Sequence, residues 1–275
     1  MRTTEYDEIE VINPGRLGLP IRHALFDFDG TLSLLRQGWQ EVMVPLMVEV
    51  LMETPCHEPL PELERFVRHV VTVTTGQQTI FQMMRLAEEV KKRGGNPEPP
   101  GVYKKEYLAR LWERIKGRVE AVKSGKVPAE QMMVPGAVQM LEALKAHGVR
   151  CYLASGTDEV DVRDEARALG IIDYFDAIHG AQDDRLEDAK MVAIHAIFAE
   201  QHVQGTELVT FGDGYVEIED TKRVGGLAVG VASNEVRRAG IDQRKRQVLI
   251  AAGADIIIPD FRAAQALAAL LFGEE

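Results

Sequence analysis

Residues 23–31 read HALFDFDGT, a short apolar run that stops in two aspartates two positions apart, then Gly and Thr. Successive strand residues face opposite sides, so Asp27 and Asp29 leave the end of such a strand pointing the same way. Burying two carboxylates costs several kcal/mol unless each meets a cation or a proton. Asp-Gly is also ordinary turn chemistry, so the stretch taken alone fits a turn as well as a site.

Three further segments end apolar runs in residues suited to phosphate chemistry. In VRCYLASGTD, 149–158, the hydroxyl of Ser155 follows a strand pattern and Gly156 lets the backbone approach an anion. In EDAKMVAIHAIF, Lys190 stands at the start of an amphipathic helix, the end at which the helix dipole disfavours a cation. In LVTFGDGYVEIED, 208–220, another apolar run terminates in Gly212, Asp213 and Gly214, with Glu217 four residues beyond Asp213. Singly these read as a helix cap, a solvated lysine and a turn aspartate. Together, each at a strand or helix end, they read as one site.

These motifs resemble the haloacid dehalogenase superfamily of aspartate-nucleophile phosphotransferases, in its phosphoglycolate phosphatase and β-phosphoglucomutase-like branch, over nearly the whole chain. The resemblance places Asp27 as nucleophile and Asp29 as general acid and base, with Gly30 and Thr31 of the same motif, Ser155, Gly156 and Lys190 around the phosphate. It makes Asp27, Asp29, Asp213 and Glu217 the candidate metal ligands. Relatives carry aspartate where Glu217 stands, and Glu219 and Asp220 are near enough to substitute. The second aspartate separates this chain from the dehalogenases and phosphonatases, which lack it, and from the ion pumps, which carry Thr there. The implied activity is a phosphatase acting on a small phosphorylated metabolite, a sugar phosphate or phosphoglycolate. The nearby alternative is a phosphomutase. A receiver domain also forms an aspartyl phosphate, but it lacks the second acid and needs no large insertion. Retention of all four motifs argues against an inactive binding protein.

A carboxylate approaching a phosphate ester meets a repulsion of about 4 kcal/mol per unit charge pair at 4 Å in an effective dielectric near 20. Asp27, Asp213 and Glu217 bring three negative charges, which Lys190 and one Mg²⁺ balance if Asp29 enters protonated. Mg²⁺ takes hard oxygen ligands and only one or two protein carboxylates beside a substrate phosphate. No Cys or His cluster suggests zinc.

With 275 residues, 45% of them hydrophobic, the chain can bury a sizeable core. A formal net charge of -11 argues against nucleic acid as a partner. The basic run from Arg237 to Arg246 reads as a solvated helix face. Cys56 among prolines and Cys151 in an apolar run form no framework. With no apolar leader segment and no membrane-length apolar run, a cytoplasmic protein without a membrane partner is the expectation.

Strand patterns fall at 23–28, 149–154, 174–178, 207–211, 227–231 and 254–258, separated after the first mostly by helical patterns such as 137–147 and 189–201. This predicts an α/β fold with a doubly wound parallel sheet, ligands sitting beyond the strand C-termini. Residues 33–133 instead carry apolar positions at helical spacing, with Pro45 predicting a kink or a late helix start. The expected organisation is therefore a Rossmann-like core from 1–32 and 134–275, with an inserted all-helical cap at 33–133. Substrate choice would lie in that cap. Arg36, Gln37 and Trp39 are candidates beside the hinge, and Gln77 and Gln78 stand within the polar break from Thr74 to Thr79, which also reads as a plain helix junction. His23 and His179 read as structural.

Overall fold

A computed structural model describes residues 9–182, 189–201 and 203–274; the acidic start of the chain, 1–8, lies outside them. The chain runs through β1 (Glu10–Val11) and β2 (His23–Phe26) to helices α1 (Gln40–Met52), α2 (Leu60–Val73), α3 (Thr79–Lys92) and α4 (Pro100–Lys123). It then alternates: α5 (Ala137–Ala146), β3 (Arg150–Asp158), α6 (Glu159–Ala168), β4 (Phe175–Ala181), α7 (Ala189–Gln201), β5 (Leu208–Gly212), α8 (Tyr215–Arg223), β6 (Leu227–Val231), α9 (Gln243–Ala251), β7 (Ile256–Ile258) and α10 (Ala264–Phe272).

The sheet order is β1-β7-β6-β5-β2-β3-β4. Every neighbouring pair is parallel except β1 with β7, where Glu10 lies opposite Ile257. The sheet is parallel as expected, with this two-residue antiparallel edge strand added, a common finish to an otherwise parallel sheet.

Alternation within the strands explains the layering. Ala24 and Phe26 of β2, Val209 and Phe211 of β5, and Leu227 and Val229 of β6 share a buried cluster with residues of α5, α6 and α10. The intervening Leu25 and Leu208 pack with Ala193, Ile194 and Ile197 of α7. Ala228 and Ile257 pack with Ile218 of α8 and Leu249 of α9. Both faces of the sheet are covered, as continuous apolar strands require. At the centre, Phe26 and Phe211 lie opposite each other in register and their rings stack at 4.6 Å and 10°.

Helices α1–α4 follow β2, and the apolar positions read at helical spacing are largely buried, Met43, Leu46, Met47, Leu63, Val67, Met83, Leu111 and Ile115 among them. Of the kink or late start expected from Pro45, the late start does not occur. Helix α1 begins at Gln40, and Pro45 sits in its interior, where its missing N–H removes one intrahelical bond. Gly94 and Gly95 fall between α3 and α4. Among the described residues, no helix is long and apolar enough to cross a membrane.

Candidate active site

The strand ladder continues one residue past β2, where the Asp27 N–H donates to the Phe211 carbonyl at 2.9 Å. The chain then turns tightly, the Phe28 carbonyl accepting from both Leu32 and Ser33 N–H at 2.9 Å. Gly30 is required in this turn. Its φ is +80°, and a Cβ there would lie 2.2 Å from Asp213 Oδ2. Gly30→Ala is therefore expected to cost about 1–3 kcal/mol in backbone strain and to push Asp213 out of place. Thermal denaturation together with a Mg²⁺ titration checks both effects.

Asp27 is buried at the end of β2. Its Oδ1 lies 3.0 Å from Lys190 Nζ, and its Oδ2 accepts a long bond from Thr31 Oγ1 at 3.4 Å. Lys190, in the first turn of α7, also donates to Glu217 Oε2 at 2.6 Å. Glu217 uses its other oxygen to accept from Gly214 N–H at 2.7 Å, so it caps α8 while holding the lysine. Carboxylate oxygens of Asp27, Asp213 and Glu217 converge within 4.8 Å of one another. Glu219 and Asp220 are engaged instead by Arg223, at 3.4 and 2.6 Å.

Asp29 stands apart from that cluster. Its Oδ2 accepts from Thr157 Oγ1 at 2.8 Å, while its Oδ1 is buried with no hydrogen-bond partner among the described residues. Burial is the largest influence on Asp29 and raises its carboxyl above the usual range, against the pull of Arg36 and Thr157. Burial likewise pushes Asp27 well up, opposed by Lys190 and reinforced by Glu217 and Asp213. Asp213 rises to about 6 for the same first reason, with Lys245 opposing. Burial alone would lower Lys190, yet the carboxylates of Asp27 and Glu217 outweigh it and raise the ammonium. This cluster holds more carboxylate than its lysines balance. Its hard-oxygen donor set fits a divalent cation such as Mg²⁺.

Asp27 and Asp213 of the cluster line a cleft partly open to solvent, with Glu217 buried behind them. Ser155, Gly156, Lys190, Asp27, Asp29, Gly30 and Asp213 line it, as do Gln37, Trp39 and Gln77. Gln78 is buried and lies outside the lining, although it neighbours Gln77. The Thr74–Thr79 break joins α2 to α3, and it also roofs the cleft. Gly76 has φ +89°, and a Cβ there would sit 3.4 Å from Glu217 Oε2 and 3.6 Å from Lys190 Nζ. A Cβ on Gly156 would meet the Gln77 carbonyl at 2.8 Å. Arg36 lines the cleft with its guanidinium committed to α6, donating to Glu165 Oε1 at 2.7 and 2.9 Å and to Asp161 at 3.0 Å. His23 is buried with its Nδ1 3.2 Å from Tyr152 Oη, and His179 lies within β4.

Sequence reading missed Thr157 and Lys245. Thr157 had a visible signal, two residues past Ser155 at the end of the same strand. Lys245 had none, and the solvated-face reading of the basic run is corrected here: Lys245 reaches Asp213, Arg244 donates to Thr72 on α2 at 2.8 Å, and Arg246 pairs with Glu10 of β1. Arg238 donates to the carbonyls of Gln131, Glu130 and Met133.

Solved structures of similar fold include a predicted phosphoglycolate phosphatase from Haemophilus somnus 129PT, with 17% identity and a TM-score of 0.60 over 90% of this chain and 98% of that one. A predicted phosphatase from Clostridium acetobutylicum has 17% identity and a TM-score of 0.57, over 90% and 96% of the two chains. A β-phosphoglucomutase from Clostridium difficile has 14% identity and a TM-score of 0.56, over 84% and 98%. No curated protein sequence matches significantly. The model of the haloacid dehalogenase-like hydrolases matches residues 21–225, a stretch that runs from just before the Asp27 strand to just past α8, and by that match the chain is a member of this hydrolase family.

Proposed function

We propose that the protein is a Mg²⁺-dependent phosphatase that hydrolyses a small phosphorylated metabolite through an aspartyl phosphate on Asp27. One observation carries this reading: the Asp27 carboxylate, held by Lys190, shares a three-carboxylate cluster with Asp213 and Glu217 at the base of a cleft whose wall includes a second, separately held acid, Asp29. Asp27, Asp213 and Glu217 would hold the divalent cation, which when bound supplies the positive charge that lets a carboxylate approach a phosphate.

Asp27 attacks phosphorus, the bond from phosphorus to the ester oxygen breaks, and Asp29 gives its proton to the departing oxygen. In the second half, water attacks the phosphorus of the aspartyl phosphate. Asp29 takes a proton from that water, and the Asp27 carboxylate is released with inorganic phosphate. Ser155, Lys190 and the backbone around Gly156, Gly30 and Thr31 hold the phosphoryl oxygens through both halves. The raised carboxyl of Asp29 favours the protonated form that the first half needs. Helices α1–α4, within residues 33–133, serve as the cap over a core formed by the flanking segments, with Gln37, Trp39 and Gln77 facing the leaving group.

A panel of phosphorylated metabolites assayed with Mg²⁺ for phosphate release tests the reading. At least one substrate is expected to be turned over, with Ca²⁺ inhibiting because its larger, looser coordination misplaces the nucleophile. Equal rates with both metals would count against it. An isomerised phosphate ester without net phosphate release would identify a mutase instead.

A further inference from the structure

Lys245 brings a second cation to the metal cluster from an element outside the four motifs. From α9 its Nζ donates to Asp213 Oδ2 at 2.7 Å, to Glu235 Oε1 at 2.8 Å and to Ser233 Oγ at 3.1 Å. Three oxygens thus take its three N–H groups. Ser233 in turn donates to the Gly30 carbonyl at 2.7 Å, which ties this group to the turn after Asp27. Two carboxylates and a hydroxyl are the donor chemistry that a divalent cation takes, and Asp213 is common to this set and to the cluster with Asp27 and Glu217. A carboxylate shared in that way is how paired metal sites are built.

We propose that Lys245 is a positioning residue whose ammonium fills what would otherwise be a second divalent-cation position, and so fixes the site at one metal ion. With Asp29 protonated, four carboxylates face this region, Asp27, Asp213, Glu217 and Glu235, against two ammonium groups, Lys190 and Lys245. One divalent cation then makes the region neutral. Without Lys245 the same region is left short by one positive charge, with an empty oxygen set beside Asp213. The ammonium also holds one Asp213 oxygen in a fixed direction, which leaves the other for the ion shared with Asp27.

The inference rests on the divalent site proposed above, and counting bound ions separates the two. Mn²⁺ is titrated into the purified full-length chain and read by electron paramagnetic resonance, with no substrate present. Wild type is expected to bind one ion with an uncoupled spectrum, and Lys245→Arg, which keeps the charge, also one. Lys245→Met is expected to bind two, with the exchange-coupled signal of a close pair, and Lys245→Met combined with Glu235→Gln to return to one. One ion or none in folded Lys245→Met, with one still bound by wild type, overturns the inference while the divalent site of the wild type stands. No binding by wild type overturns the divalent site itself. Lys245→Gln serves if the Met variant fails to fold by circular dichroism, and a coupled pair in wild type overturns the inference without any variant.

Discussion

Asp27→Asn is expected to abolish turnover while leaving the fold in place. The amide matches the carboxylate in shape, so the stacked strands beneath it and the turn through Gly30 have no reason to rearrange. What it loses is the negative oxygen that attacks phosphorus in the proposed mechanism, together with the pairing to Lys190 at 3.0 Å. Removing a nucleophile outright costs on the order of 10³-fold or more in rate. Uncatalysed phosphate monoester hydrolysis is so slow that enhancements reach about 10²¹, so even a badly damaged site would give a signal, and the assay needs matching sensitivity. Steady-state phosphate release and a melting curve on the same sample check the prediction. Residual activity above a few per cent of wild type would point to direct attack by water and remove the aspartyl phosphate from the mechanism.

The second large effect separates the two aspartates. Asp29 is positioned by Thr157 and lies outside the three-carboxylate cluster, an arrangement suited to handling protons rather than holding metal. In Asp29→Asn the two halves of the reaction should come apart. An aryl phosphate has a good leaving group that needs little protonation, so it should still phosphorylate Asp27. Water attack on the phosphoenzyme needs a base whatever the substrate was, so the intermediate should accumulate. Rapid quench would then show a burst of phenol close to one per active site, followed by a slow steady rate. If no burst appeared and the Mg²⁺ requirement rose, Asp29 would be a metal ligand and the acid-base role would be lost.

The strands that carry the site were legible because each is a continuous apolar run ending in a polar residue, and a buried parallel strand has that signature. Asp27, Ser155 and Asp213 were therefore placed by pattern as well as by motif, and the structure puts all three on one cleft. Strand β1 was not legible, since two residues have no period and its pairing with β7 is set by a chain segment far away in sequence. Lys245 was hidden for a related reason. Its partner Asp213 is 32 residues distant, and a lysine within a run of arginines looks like any exposed cation until the fold turns it inward. Gln77 and Gln78 are adjacent and chemically identical, and only the path of the loop decides that the first lines the cleft. Arg36 stands out in the sequence by its place after the first motif, but its carboxylate partner Glu165 lies 129 positions away.

The stack of Phe26 on Phe211 gives the site a ruler. Those residues are paired in register and stand immediately before Asp27 and Gly212, so the hydrogen-bonded ladder that sets the strands about 4.8 Å apart is matched, just beneath the ends that lead into Asp27 and Asp213, by two rings stacked at 4.6 Å. Interiors are packed too tightly for such a contact to drift. Chemistry and core meet at one point in this molecule, and a sequence drifting under selection for stability alone is not free to change the rings at the centre of the sheet without disturbing the strand ends that carry the proposed nucleophile and lead into the proposed metal ligand Asp213.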